Sequence, residues 1–239
     1  MVIKVKTIIN SYKEGIRDGV PIGLAYLSVS FTFGLLAKEG GLSIFSAVLI
    51  SLTNLTSAGQ FAGLDIIKAG GLIIELAVTT FIINLRYLLM SFTLSQKVDE
   101  NMSTSRRMLL SFGITDEVFA VICQKENKVG AKYFLGLITL PILCWSFGTF
   151  IGAGASMLLP YSIRSALSVA IYGMFIAIII PPAKKFKPYF IAIGFAVLIS
   201  CAFRYIPFLN ILSGGWVIII AAVISSAVCA YFFPLNKKR

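Results

Sequence analysis

The residues of this 239-residue chain that could do chemistry fall at a few places in otherwise apolar sequence. One is the run Ser51, Thr53, Asn54, Thr56, Ser57 and Gln60, which offers hydroxyl and amide groups but no charge. Such groups can hold a solute by hydrogen bonds. They equally serve as glue between membrane helices, and the sequence leaves both readings open. A second place carries Glu75, Asn84 and Arg86 in one apolar segment. Glu75 and Arg86 are eleven positions apart, so on one helix they share a face but stand roughly 16 Å apart, and each needs another partner. Ionisable groups inside a bilayer are costly and default to a functional role, although Glu75 lies near enough to its segment's start to snorkel. A third place is Thr115-Asp116-Glu117, a hydroxyl followed by two acids, which reads as a helix start just after Gly113 as a helix stop. The acids either complement the helix dipole or face a cavity, where one could hold an ammonium or exchange a proton.

Other chemistries lack their residues. There is no histidine, which removes the commonest metal ligand and every imidazole relay. Cys123, Cys144, Cys201 and Cys229 have no ligand spacing and read as buried reduced thiols. Phosphate-loop, GxSxG and HExxH motifs are missing, so neither nucleotide-driven transport nor intramembrane hydrolysis is expected. No metal or cofactor is expected.

The elements that must position these groups are membrane helices. The chain is 58% hydrophobic and 13% charged, against roughly 25% charged in soluble domains. Gly19 to Ala37 and Tyr133 to Ile163 contain no charge; about 20 such residues cross a bilayer core. The net charge of +11 is not a nucleic-acid face, because Lys and Arg lie between the apolar runs. The basic N-terminus precedes a run too long for a signal-peptide core, and it is read as leading into the first membrane helix. The apolar segments are Gly19–Ala37, Leu42–Leu64, Ala69–Leu94, Met108–Cys123, Tyr133–Leu159, Ser165–Ala183, Pro188–Ala202 and Ser213–Phe233. The expectation is one all-α polytopic membrane helix bundle over residues 1–239, with about six full spans plus broken or re-entrant segments.

Charge bias refines the topology. The basic N-terminus, the central stretch from Lys97 to Lys132, the Lys184–Lys187 loop and the C-terminal tail are the rich segments and should be cytoplasmic. Three full spans before the central stretch would put it outside. Leu42–Leu64, with its polar centre, is therefore expected to be broken, as irregular backbone at membrane depth is tolerated only where protein or water satisfies it. A second break is expected between Phe112 and Asp116, with Thr115 as cap. Gly15, Gly19 and Gly23, and likewise Gly148 and Gly152, read as close-packing faces.

At these same places the sequence resembles the AzlC-type family, the large subunit of bacterial branched-chain amino-acid exporters. The resemblance rests on Gly19-Val20-Pro21-Ile22-Gly23, Thr56-Ser57-Ala58-Gly59-Gln60-Phe61, Asn84-Leu85-Arg86-Tyr87-Leu88-Leu89-Met90 and Thr115-Asp116-Glu117. Ser57 stands where a glycine is expected and Tyr87 where histidine is common, so a scheme needing an imidazole there is not available. The resemblance implies a secondary transporter, not an enzyme. It implies export of branched-chain or similar apolar amino acids across the cytoplasmic membrane, driven by protons, and a separate small AzlD-type membrane subunit as partner. Such a solute needs donors for its carboxylate, for which Asn54, Gln60, Asn84 and Arg86 are the candidates. Its ammonium needs Asp116 or Glu117. Glu75, Asp116 and Glu117 are the candidates for proton coupling. These groups are expected to converge on one polar cavity. The alternative is a channel-like or scaffold subunit whose polar residues only associate helices.

Overall fold

The computed structural model describes residues 8–156, 158–160, 162–163, 166, 176, 179–180, 183–184, 186–209 and 212–233. The fold among them is all-helical: α1 (Tyr12–Glu39), α2 (Ile44–Thr53), α3 (Ser57–Lys68), α4 (Ile73–Ser95), α5 (Thr104–Ser111), α6 (Asp116–Gln124), α7 (Ala131–Ala155), α8 (Lys187–Tyr205) and α9 (Gly214–Phe232). Strand pairing among them is limited to isolated bridges from Val129 to Ile9 and Val98. Five of these helices, α1, α4, α7, α8 and α9, are long and apolar enough to cross a membrane. The expected span Ser165–Ala183 lies largely outside the described residues.

Two compact units share the chain: residues 1–60 with 84–160, and residues 61–83 with 161–239. In the first unit α1 and α7 form the main packing pair, with α2, α5 and α6 against them. The glycines expected to form packing faces set this contact. A Cβ on Gly15 would stand 2.1 Å from the carbonyl oxygen of Tyr133, and one on Gly152 would stand 1.9 Å from that of Phe31. The two backbones therefore touch, which is how membrane helices gain dispersion contact without a hydrophobic drive. Buried Ile22, Tyr26, Leu137, Ile138 and Trp145 fill the space beside them. Lys125, which follows α6, pairs with Asp18 in the second turn of α1 at 2.7 Å. That bond raises the Lys125 ammonium above its ordinary pKa.

The segment Leu42–Leu64 is broken. Helix α2 stops at Thr53, and Asn54 is extended (φ −145°, ψ 109°). The Asn54 side chain accepts from the Thr56 amide at 3.4 Å, and the Thr56 hydroxyl accepts from the Gly59 amide at 3.3 Å. Short polar side chains thus satisfy the backbone on either side of the break. The second break also forms: α5 ends at Ser111, and Thr115 caps α6 by accepting from the Val118 amide at 3.4 Å. Gly113 is required there by space. A Cβ would come within 2.7 Å of the Ile138 side chain, and its backbone is not left-handed.

In the second unit, α8 and α9 pack on each other. The four cysteines are free thiols, and Cys201 is exposed on α8 instead of buried as expected. An apolar run can turn any of its faces outward when the surrounding medium is also apolar, so a sequence position in such a run does not imply burial.

Candidate functional site

The two breaks of the first unit border one cavity of about 200 Å³, lined by Thr53, Asn54, Leu55 and Thr56 from the first break, Ser111, Phe112 and Ile114 from the second, and Asn84 and Tyr87 of α4. Unwound backbone and short polar side chains thus face a space that a small solute could occupy, below the roughly 300–1,000 Å³ of drug-sized ligand pockets. Asn84 holds its Oδ1 buried and without a hydrogen-bond partner.

Neither Arg86 nor Asp116 lines this cavity; Arg86, next in sequence to the lining residue Tyr87, reaches Asp116 with Nη1 to Oδ2 at 2.6 Å, both side chains remaining 40% or more exposed. The guanidinium carbon stands 5.2 Å from the centre of the Tyr87 ring. Arg86 Nε is buried and unpaired. An ion pair with a spare donor on the cation can rearrange around a zwitterion. The carboxylate would take guanidinium hydrogens, and the ammonium would take Asp116.

Glu117, adjacent to Asp116, faces elsewhere. Its carboxylate accepts from the Tyr26 hydroxyl at 2.5 Å. Tyr26 is buried and meets Trp145 edge-on, with ring centroids 5.1 Å apart. Trp145 in turn donates its indole N–H to Gln60 Oε1 at 3.2 Å. The Gln60 amide donates to the carbonyls of Asn54 at 2.6 Å and Ile50 at 3.2 Å. Those carbonyls belong to the end of α2, where the break removes their helical partners. With 3% exposure and both ends of its amide engaged, Gln60 holds the break together in this conformation and does not line the cavity. The polar run contributes another buried pair, Ser51 to Thr149 at 2.7 Å.

The expected site residues therefore separate. Asn54 and Asn84 share the cavity, Arg86 and Asp116 pair with each other outside its lining, and Gln60 and Glu117 end a chain of contacts through Trp145 and Tyr26, so the expected convergence on one polar cavity is not seen. Glu75 is in the second unit. It is 3% exposed, accepts from the Ser213 hydroxyl and accepts from the Gly215 amide at 3.0 Å. It thus caps the start of α9 and is not snorkelled. Beside it lies a cavity of about 160 Å³ that also touches Asp65 and Ile66.

The family profile described as AzlC protein matches residues 21–159. The chain belongs to the AzlC family. A membrane protein of Archaeoglobus fulgidus, named as uncharacterized, is 34% identical over 176 residues, which cover 72% of this chain and 76% of that one. The inner membrane protein YgaZ of Escherichia coli K12 is 29% identical over 182 residues, 73% of this chain and 74% of its own. No solved structure matches the chain. The AzlC match contains both helix breaks, the Arg86–Asp116 pair and Trp145. The site is thus built within the family's own region of this multi-helix membrane protein.

Two residues of this AzlC-family site escaped the sequence reading: Tyr26 and Trp145. Both lie in uncharged apolar runs and look like lipid-facing or core aromatics. The available signal was their polar tip, since a Tyr O–H or Trp N–H at membrane depth must find an acceptor.

Proposed function

We propose that this AzlC-family protein is a secondary transporter subunit, not an enzyme, that exports branched-chain or similar apolar amino acids across the bacterial cytoplasmic membrane in exchange for protons. Both termini are cytoplasmic in this reading, as the basic segments favour. A small AzlD-type membrane subunit is its partner. The observation that carries the reading is the meeting of two helix breaks around a small cavity whose lining residues Tyr87 and Ile114 are sequence neighbours of the Arg86–Asp116 pair. Discontinuous helices lining an internal cavity are the way secondary transporters build solute sites.

The roles follow from chemistry. Arg86 binds the α-carboxylate and Asp116 the α-ammonium, while Asn84 and the backbone of the 54–56 break add polar contacts. Leu55, Phe112 and Ile114 offer the apolar wall that an aliphatic side chain needs. Gln60 keeps the break in shape. A scaffold role would ask only that polar groups be paired, whereas Arg86 Nε and Asn84 Oδ1 are left over.

The test is leucine or valine efflux from loaded cells and from proteoliposomes, with and without the small subunit. Arg86→Gln and Asp116→Asn should each abolish efflux while the protein is still inserted and monodisperse. Wild-type efflux from well-expressed Arg86→Gln would remove Arg86 from the substrate path.

A further inference from the structure

Helix α5 is not among the five helices long enough to cross a membrane, yet it turns two large apolar side chains outward. Met108 is 71% and Leu109 72% exposed. In water that is unfavourable; at the boundary between headgroups and acyl chains it is the face an interfacial helix buries. The same helix carries Arg106 and Arg107 in its first half, with no acid in its first turn. Positive charges there oppose the helix dipole, so helix stability does not account for them. Against α5 lies a cavity of about 250 Å³ within the first unit. Its walls include Leu94 and Ser95 in the last turn of α4, Val98 and Met102 of the following loop, and Phe134 in the first turn of α7. Met108 belongs both to the lining and to the exposed face, so the cavity opens on that face. The Ser95 hydroxyl donates to the Phe92 carbonyl at 2.6 Å and the Ser111 hydroxyl to the Met108 carbonyl at 2.7 Å, so both are already satisfied. The charged member of the lining is Arg107. Its Nε donates to the Met102 carbonyl at 3.0 Å and its Nη2 to the Asp99 carbonyl at 2.9 Å, which fixes the guanidinium. Its Nη1 has no partner among the described residues and can still donate. The acids of the loop are turned to other partners: Asp99 accepts from the Asn101 amide at 3.0 Å, and Glu100 pairs with Lys128.

We infer that this cavity holds an acyl chain of an anionic phospholipid of the cytoplasmic leaflet, whose phosphate meets Arg107 Nη1 and the exposed Arg106. The apolar walls take the chain, and two guanidinium groups with donors to spare take the headgroup. A zwitterionic lipid offers the same chain, but the cation of its headgroup offsets the attraction. The basic central stretch favours the cytoplasmic side for the end of α4 and the start of α7, which is the side where anionic headgroups attract basic segments. Ser111 and Ile114 line this cavity and also the one between the two helix breaks. A chain seated here therefore braces the wall of the candidate solute site from outside and steadies the second break without touching a solute. The inference shares its orientation with the export reading but depends on neither the solute nor the proton.

The experiment uses the full chain purified in a neutral detergent, with phosphatidylglycerol, phosphatidylcholine or glycerol phosphate added at equal concentration. Amide hydrogen exchange reads where each binds, and lipid retention in native mass spectrometry reads how tightly. Phosphatidylglycerol should slow exchange over residues 104–114 more than phosphatidylcholine does, and glycerol phosphate should leave it unchanged. A basic side chain near an anionic surface is worth roughly fivefold in binding. Arg106→Gln should therefore weaken phosphatidylglycerol retention about fivefold and leave phosphatidylcholine as it was. Arg106 is the residue to change because Arg107 also holds the loop carbonyls. Ser95→Phe, which puts a ring into the cavity, should weaken retention of both lipids. Equal protection by the two lipids overturns the inference. So does protection by glycerol phosphate alone, which would make this a site for a free anion. Protection by phosphatidylglycerol that survives both Arg106→Gln and Ser95→Phe unchanged places the lipid elsewhere and overturns it too. If the protein purified with its small subunit is already protected over 104–114 and takes up no phosphatidylglycerol there, the face belongs to the subunit and the inference falls.

Discussion

Trp145 and Gln60, 85 positions apart, are joined by an indole N–H to amide oxygen bond of 3.2 Å, buried inside the first unit. That bond ties the middle of α7 to the start of α3, and through the Gln60 amide to the open end of α2. The cost of losing it can be set out in advance. Trp145→Phe removes one donor and leaves the Gln60 oxygen buried without a partner, which costs about 1–3 kcal/mol. Gln60→Leu strands the Trp145 N–H and the Asn54 carbonyl together, so it should lower the thermal unfolding midpoint in detergent more than Trp145→Phe does. Equal midpoints for the two variants would show that the break is held by something else.

The α1–α7 contact gives a second test. A Cβ on Gly34 would stand 2.1 Å from the Thr149 carbonyl oxygen, while Gly154 has nothing within 4 Å. Overpacking a tight contact costs typically about 1–3 kcal/mol, and here the obstacle is backbone. Gly34→Ala should therefore destabilise or fail to insert. Gly154→Ala in the last turns of α7 should be neutral or stabilise by up to about 1 kcal/mol, since alanine favours helix. Thermal unfolding of the two purified proteins compares them directly.

Much of this architecture was legible in the residues. The polar run and the charge bias together pointed to a break in Leu42–Leu64, because a continuous span would have put the central basic stretch on the wrong side. Gly113 with Thr115 pointed to the second break, as stop and start signals are local. The fate of individual side chains was less legible, because it depends on which helix packs opposite. Nothing near Gln60 in sequence foretells a tryptophan 85 positions on. Nothing near Glu75 foretells the start of a helix more than a hundred positions on. For the same reason two adjacent acids, Asp116 and Glu117, could not be told apart until Arg86 and Tyr26 stood beside them.

In the second unit, Glu75 joins the beginning of α4 to the beginning of α9. Glu75→Gln keeps one acceptor oxygen for Ser213 and Gly215 and should cost little in stability. Glu75→Leu removes both bonds and leaves a buried amide donor of α9 unpaired, a loss of about 1–3 kcal/mol. Unfolding midpoints in detergent should rank wild type, Glu75→Gln and Glu75→Leu in that order. A Glu75→Leu protein as stable as wild type would mean that the cap contributes nothing.

Arg86 and Asp116 allow a sharper question, whether the pair serves the fold or the solute. Their side chains are 40% and 47% exposed, and an exposed ion pair contributes only about 0–1 kcal/mol. Single neutralisations should therefore leave the protein folded, and leucine export should be lost in Arg86→Gln and in Asp116→Asn alike. The exchanged double variant Arg86→Asp with Asp116→Arg restores an ion pair of reversed direction. If the pair were only a strut, the exchange would recover whatever the single variants lose. If the pair receives a zwitterion, the exchange puts each charge on the wrong helix: the cation would sit at the start of α6, and the anion on α4. The amino acid would then have to enter reversed, with its side chain away from Leu55 and Ile114. Wild-type folding with no export is the expected outcome for the exchanged protein, measured by leucine efflux at matched protein levels. Recovery of export by the exchange would reduce the pair to a structural tie.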